Sequence, residues 1–385
     1  MLIGVDALSL KPGKTGGGET YIVNLMRELP PMDPENHYHI FALPEAVSLF
    51  ENGYPNVSIQ PCRMPGPSQT QVWARILYEQ AVLPGAIRRL GIQLMLFLGN
   101  MASIRCPCPS VMTVHDLMSY FYKDNYPGQL GLVKSRLLPA IVKASVRRVT
   151  LVSASSEHTK REIVGRLGVS AEKIRVVHLG VDPHFGGDRL GPEHLPAGID
   201  ASYALFVGTQ DLHKSLDRLV RAFTLMKRRT KLPAKLVLAG MEGTGTAQLR
   251  ATIRESNCPD VLDLGRVPDG QLSALYANAK LFVFPSLNEG FGLPPLEAMS
   301  KGIPVAASNA GPIPEVVADA AILFNPYDEE SIASALERGF TDDALLESLR
   351  EKGYERVRLF TWRRTAEKMF DIIRELSEKT AVCAG

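Results

Sequence analysis

The sequence predicts an α/β protein made of two doubly wound domains, each built on a parallel sheet, and three observations predict it. The chain has 385 residues, more than one ordinary core holds and suited to two domains. Short, fully apolar segments alternate with amphipathic ones, the pattern of parallel strands covered by helices on both faces. That rhythm runs twice, and the aperiodic, Gly- and Pro-rich stretch "FGGDRLGPEHLPAGID" (185–200) separates the two runs.

In the first run "MLIGVDAL" reads as a strand and "GETYIVNLMREL" as a helix, because Ile22, Leu25, Met26 and Leu29 recur at helical spacing. The strands "YHIFALP" and "VSIQPCR" follow, then one long helical stretch through "VWARILYEQAVLPGAIRRLG" and the strands "QLMLFLG" and "SVMTVHD". A second long helix at 130–148, then "VTLVSAS", "EHTKREIVGRLG" and "IRVVHLG", complete this half. The second run pairs "YALFVG" with "SLDRLVRAFTLMKRR", "AKLVLAG" with "AQLRATIRES", "VLDLG" with "GQLSALYANA" and "LFVFPS" with "PPLEAMSKG". The strands "PVAASN" and "AILF" end it, and the helix "WRRTAEKMFDIIREL" follows. Domains are therefore expected at 1–185 and 201–360, with a linker at 186–200. A C-terminal helix, 361–385, is expected to pack back on the first domain.

Composition narrows the class. Apolar content of 45% and charged content of 22% are those of a soluble globular protein. No apolar run approaches the roughly 20 residues that span a bilayer, and the N-terminus lacks a basic leader and a cleavage site, so no secretion signal is expected. The five cysteines (62, 106, 108, 258, 383) include only one close pair, Cys106-Pro107-Cys108, which lacks the second pair a metal site would want. Free thiols and a cytoplasmic location are expected. Residues 1–180 carry 19 Lys and Arg against 13 Asp and Glu, the remainder 24 against 28, so the halves are expected to do different jobs. No nucleic-acid partner is expected.

In open parallel sheets ligands bind beyond the carboxyl ends of the strands, which restricts the search for chemistry. In "FVGTQDLHKSLDRLV" (206–220) a strand ends at Gly208 and a helix starts near Ser215, with Lys214 at its tip. Helix N-termini and a lysine suit a diphosphate. The segment is one residue short of a P-loop, because His213 stands where the second glycine should be, and no other apolar strand is taken to end in a Walker-type aspartate. A solvated lysine is the alternative. Three glycines in "GGGETY" (16–21) allow close backbone approach before a helix, as a second anion site or as a plain turn. In "FPSLNEGFGLPPLEAMSKGIPV" (284–305) Glu289 ends a loop and Glu297, eight residues on, sits near a helix start opened by Pro294 and Pro295. Two carboxylates there suit a ligand with hydroxyls, since carboxylates accept hydrogen bonds from sugars; a helix cap is the alternative for Glu297. His115 ends the strand "SVMTVHD", where it could meet a ligand or serve structure alone.

Together these pieces resemble the family 4 retaining glycosyltransferases, which have the GT-B architecture of two Rossmann-like domains facing across a cleft. "LFVFPSLNEGFGLPPLEAMSKGIPVAASNAGPIPEVV" is similar to the family's Glu-x7-Glu element, and "VSASSEHTKREIVGRLGVSAEKIRVVHLGVD" and "FVGTQDLHKSLDRLVRAF" to two further family segments. The resemblance implies that Lys214 binds the donor diphosphate, Gly17 puts its amide near the leaving phosphate and Glu297 takes the ribose hydroxyls. It also implies that Glu289, with the backbone of Phe291, Gly292 and Leu293, holds the transferred sugar, that His115 lies by the reacting carbon, and that Val267 sits by the base. Thr209 stands where some members have Arg, and His213 and Ser215 where Arg and Asn are frequent. One cationic contact to the diphosphate is thus absent or supplied by His213.

The implied activity is transfer of a hexose, with retention, from a UDP- or GDP-sugar to a glycan or lipid-linked oligosaccharide in surface-polysaccharide synthesis. A nucleotide-sugar epimerase, a phosphorylase and a non-catalytic nucleotide-sugar binder are the alternatives. Without an Asp-x-Asp sequence no metal is expected, and no cofactor beyond the donor. Lys214, the helix N-termini and the glycine loop would stabilise the leaving group. The stretch 133–149 has five basic and no acidic residues and is expected to touch anionic lipid at the inner face of the plasma membrane, or else to be a half-buried helix with a basic edge.

Overall fold

The computed structural model describes residues 1–385 apart from 14–15, 65–70, 130, 183–189, 200–201 and 385. It divides into two compact units, Met1–Gly180 with Trp362–Gly385, and Val181–Thr361.

The first unit runs β1 (Leu2–Asp6), α1 (Gly17–Met32), β2 (His37–Ala42), β3 (Val57–Pro61), α2 (Gln71–Leu77), α3 (Leu83–Leu90), β4 (Leu94–Phe97), β5 (Ser110–Val114), α4 (Met118–Asn125), α5 (Gly131–Arg148), β6 (Leu151–Ala154), α6 (Glu157–Glu162) and β7 (Ile174–Val176). Its strands form one parallel sheet in the order β3-β2-β1-β4-β5-β6-β7. Every residue of β4 and β5 is buried, as a strand between two helical layers requires. Gly4 lets β1 and β4 approach, since a Cβ there would come within 2.6 Å of Met95 Sδ.

The long helical stretch expected at 72–91 is helical from 71 to 90, but not as one regular α-helix. A π-turn, Tyr78–Val82, joins α2 to α3 and turns Glu79 inward to 3% exposure while leaving Leu77 at 66% and Val82 at 49%. The expected passage from "HD" to the helix at 130 also omitted α4.

The second unit runs β8 (Ser202–Val207), α7 (Leu216–Thr230), β9 (Ala234–Ala239), α8 (Thr246–Ser256), β10 (Val261–Gly265), α9 (Asp269–Asn278), β11 (Leu281–Phe284), α10 (Leu293–Ser300), β12 (Val305–Ser308), α11 (Ile313–Val317), β13 (Ala321–Phe324), α12 (Glu329–Thr341) and α13 (Asp343–Val357). The parallel strand order is β10-β9-β8-β11-β12-β13. On α7, Leu216, Leu219, Val220, Phe223 and Met226 are buried at a helical period, each contributing about 1.5–3 kcal/mol of apolar burial. α12 and α13, which the sequence reading passed over, are capped by Asp328 accepting from Glu330 N at 3.0 Å and Asp342 from Leu345 N at 2.9 Å.

Of the expected linker, 186–189 and 200 lie outside the described residues. The rest is tied to the second unit: Asn278 Nδ2 donates to Leu190 O (3.1 Å) and Lys235 Nζ to Gly198 O (2.5 Å). The last helix, α14 (Trp362–Ala384), belongs to the first unit. There Trp362 lies 6.4 Å from the Tyr21 ring, Thr365 Oγ1 donates to His178 O (2.9 Å), and Arg175 pairs with Glu375 (2.8 Å). No helix among the described residues is long and apolar enough to cross a membrane.

Candidate active site

In the second sheet the order reverses between β8 and β11, and the loops after these strands meet at that switch point, where doubly wound sheets leave a crevice. After β8, Gly208 adopts φ 155° and packs under Gly240, whose added Cβ would fall 1.8 Å from Gly208 O. A single 3₁₀ turn, Leu212–Lys214, and Ser215 at φ 54° then lead into α7. This turn buries Lys214 to 8% exposure. Its Nζ donates to Glu289 Oε1 at 2.6 Å and lies 5.0 Å from the centre of the Phe284 ring. His213 O accepts from Leu287 N at 2.7 Å, locking the turn to the loop that carries Glu289.

Burial by itself would raise the Glu289 carboxyl. The charges of Lys214 and His213, with the hydrogen bond from Lys214, outweigh it and hold the group below its ordinary value. Glu297 differs. It lies on α10, half-buried, and burial raises its carboxyl to about 7. α10 opens at Gly292, whose φ of 109° and lack of a side chain are both needed, since a Cβ would meet Ile313 Cδ1 at 2.6 Å. Leu293 and Pro294 form its first turn, and Phe291 is buried edge-on against Phe360 at 5.5 Å. Val267 is half-buried between β10 and α9. All these groups follow strands of one sheet at its carboxyl edge, and the contact that joins two of them is Lys214 to Glu289.

Sequence reasoning missed Asp211. Its carboxylate accepts from Thr209 Oγ1 (2.7 Å), Thr244 N (3.0 Å) and Thr244 Oγ1 (3.0 Å), tying the loop after β9 to the loop that bears Lys214. Burial opposes its charge, but these bonds and His213 lower its pKa. Thr209, a donor-binding candidate that stands where some family members have Arg, has its hydroxyl engaged with Asp211. The signal was an aspartate just ahead of a turn, a residue type that bonds nearby backbone.

In the first unit Gly17 opens α1, in the turn whose N–H groups a helix leaves without internal acceptors. Lys14 and Thr15 of that loop lie outside the described residues. His115 follows β5. Its Nε2 lies 3.0 Å from Leu98 O, a contact that only N–H can make, so Nδ1 is the acceptor nitrogen of the neutral ring. Burial lowers its pKa against weaker support from Leu98 and Asp116. Asn100 Oδ1 accepts from His115 N at 2.7 Å, and Tyr21 stands edge-on to the ring at 4.8 Å.

One apolar strand outside the second sheet, β1, ends in an aspartate, Asp6. Asp6 accepts from Leu8 N at 3.0 Å, and burial raises its carboxyl; it lies in the unit that does not contain the near-P-loop. Beyond the ends of β1, β2 and β3 a cavity of about 400 Å³ opens, with Leu8, Leu43 and Met64 among its apolar walls and Lys11, Arg63, Arg75 and the acidic Glu45 supplying charge.

Two family models match the chain: Glycosyltransferase Family 4 over residues 15–185 and Glycosyl transferases group 1 over residues 195–356. The chain is similar to O-antigen chain mannosyltransferase B of Escherichia coli, 30% identical over 259 residues that cover 66% of this chain and 67% of that one. It is also 27% identical to the serotype-specific mannosyltransferase WbdA of Escherichia coli over 68% of this chain, but spans only 32% of that larger protein. In three dimensions it resembles Anabaena Alr3699/HepE, solved in complex with UDP and glucose, with a TM-score of 0.72 at 20% identity, over 97% of this chain and 100% of that one. The two parallel sheets are those of the GT-B class. By the matching models and this identity, the chain belongs to the family 4 glycosyltransferases.

Proposed function

We propose that this glycosyltransferase moves a hexose, with retention of configuration and without a metal ion, from a UDP- or GDP-sugar to a glycan or lipid-linked acceptor in surface-polysaccharide synthesis. The observation that carries the reading is the buried Lys214–Glu289 pair at the switch point of the second sheet. A lysine held there by a carboxylate is a cation already stripped of most of its water, so a diphosphate oxygen gains more from it than from a solvated lysine. When donor binds, Nζ turns to the diphosphate, and Glu289 is released to accept hydrogen bonds from hydroxyls of the transferred sugar. The start of α7 and the amides of α10 add partial positive charge to the same place. Glu297 takes the ribose hydroxyls, and Val267 flanks the base.

In the first unit Gly17 and neutral His115 are assigned to the leaving phosphate and to a sugar hydroxyl. His115 Nδ1 is suited to accept a hydrogen bond rather than to donate a proton. Bond formation is assigned to front-face attack: the acceptor oxygen bonds the anomeric carbon as its bond to the phosphate oxygen breaks, and the proton passes to that phosphate oxygen. The acceptor is assigned to the cavity beyond β1–β3, where Lys11 and Arg63 beside Glu45 suit a polyhydroxyl partner. On α5, Arg136, Leu137, Arg147 and Arg148 are exposed, a face compatible with anionic lipid; the side chains of 133 and 134 lie outside the described residues.

The relatives' names favour mannose, and the Anabaena complex favours UDP and glucose. Thermal-shift screening against UDP-, GDP- and dTDP-hexoses separates these. Donor-dependent release of nucleoside diphosphate, with the anomeric configuration of product read by NMR, tests transfer and retention. Stabilisation by none of the donors overturns the reading.

A further inference from the structure

We propose that Cys106 and Cys108 form a dithiol site that undergoes reversible thiol–disulfide exchange with a small disulfide of the glutathione class. The two Sγ atoms lie 3.8 Å apart, and both residues are half-buried free cysteines, so the pair combines contact with access. They flank exposed Pro107, whose ring fixes one backbone torsion between them. A disulfide needs about 2.05 Å between sulfurs, so side-chain rotation must close about 1.8 Å.

The loop from β4 to β5 that bears them is anchored on both sides. Gln80 holds Ala102 O (3.0 Å) and Ile104 N (2.9 Å), and Ser145 Oγ both accepts from Ala102 N and donates to Ala102 O (3.1 and 3.0 Å). Cys106 N bonds Ser103 O at 3.3 Å, and Pro109 O accepts from Met95 N at 3.0 Å. The thiols are therefore held together rather than meeting by chance. The remaining described cysteines are placed differently: Cys62 is buried, and Cys258 lies in the second unit.

The roles within the pair differ. A hydrogen bond from Cys108 lowers the Cys106 thiol, while the same bond and burial raise Cys108. Cys106 is the attacking sulfur and Cys108 the resolving one. The Cys106 thiolate attacks one sulfur of the small disulfide, forming a mixed disulfide and expelling one small thiolate. Cys108 Sγ then attacks Cys106 Sγ, giving its proton to solvent, and expels the second small thiolate. Two protein thiols become one disulfide, and the small disulfide is reduced to two thiols. A disulfide spanning a single intervening residue closes a tight ring, the strained kind that is readily reduced again.

The same loop carries Leu98 and Asn100, which fix His115 through Nε2 and backbone N. Closing the ring therefore pulls on the residue placed at the reacting sugar. This consequence rests on the proposed role of His115; the exchange itself does not.

The test uses the full chain incubated with oxidised glutathione, alkylated, and mapped by mass spectrometry on the tryptic peptide 106–123, which holds both cysteines. The expected product is that peptide with two hydrogens lost, restored by dithiothreitol, while Cys108→Ser stops at one glutathione adduct on Cys106. Two separate adducts, or thiols that stay as alkylatable as Cys258, overturn the proposal. Sugar transfer should fall several-fold on oxidation and recover on reduction, and a Cys106→Ser/Cys108→Ser variant should be insensitive. A rate unchanged by complete oxidation overturns the link to His115. A protein that transfers no sugar in any state defeats the proposed function, while the peptide masses still decide the exchange.

Discussion

Donor binding near neutral pH should expel a proton from Glu297. Burial raises this carboxyl to about 7, so at pH 7 half of the molecules carry the proton. Ribose hydroxyls donate to the ionised carboxylate, and hydrogen bonds to the charged form pull the pKa down. A fall of two units or more in the complex leaves the group ionised, so about 0.5 proton leaves per donor bound at pH 7. Nucleotide sugars are diphosphate diesters and do not titrate near neutrality, so they do not blur the count. The associated cost is about 0.4 kcal/mol at pH 7, and below pH 6 donor affinity should fall about tenfold per pH unit while the bound form stays ionised. Isothermal titration calorimetry in phosphate and Tris buffers reads the proton number from the difference in apparent enthalpy. The expected release is about half a proton at pH 7, close to none at about pH 8.5, and none for Glu297→Gln at either. Binding without proton release in the wild type, or equal release in Glu297→Gln, refutes the placement of Glu297 against the ribose.

Lys214→Met removes one partner from a pair only 10% and 14% exposed; it should destabilise the protein by about 2–4 kcal/mol in thermal melts and cut turnover about 100-fold or more. The Lys214→Met/Glu289→Gln double variant should regain much of the stability and none of the activity, whereas additive losses would show that the pair is not coupled. Asp211→Ala removes the acceptor of Thr244 N and of both threonine hydroxyls, and should cost about 0.5–1.5 kcal/mol and raise the donor KM; an unchanged melting temperature counts against its tying role. Burial, then Asp6, raises the Glu79 carboxyl against Arg75, 3.3 Å away. The folded chain therefore holds that proton more tightly than the unfolded one. The stability this provides is complete below the ordinary carboxylate range and is lost as pH rises through the folded value. Glu79→Gln should thus raise the melting temperature at about pH 9 and change it little at about pH 5; the reverse order refutes the sign.

The two sheets were legible because their strands are buried on both faces, so "LFVFPS" and "SVMTVHD" read as strands without help from periodicity. The helices of 329–357 were missed although Asp328 and Asp342 are ordinary caps, because the reading followed strand–helix alternation and this stretch holds two helices in succession. The π-turn at 78–82 was illegible for another reason. Glu79 carries a charge, and burial of a charged side chain is decided by neighbours such as Asp6 and Arg75, far away in sequence. At the site, Lys214 and Glu289 were each found from their place after a strand. Their contact spans 75 residues and depends on β8 lying beside β11. Asp211 escaped because Thr244, the partner that joins it to a second loop, lies 33 residues away in sequence.

The return of α14 to the first unit makes the second a guest module inserted into its host. Val181 N bonds Phe360 O at 3.0 Å, so the guest begins and ends at one point. Cutting this gene at the apparent interdomain boundary would not yield two intact halves: a fragment ending at 180 would lack the helix that packs on Tyr21 and pairs with Arg175. Residues 181–361 are the piece that lifts out whole, and a short splice joining 180 to 362 is what the remainder would need to close over itself.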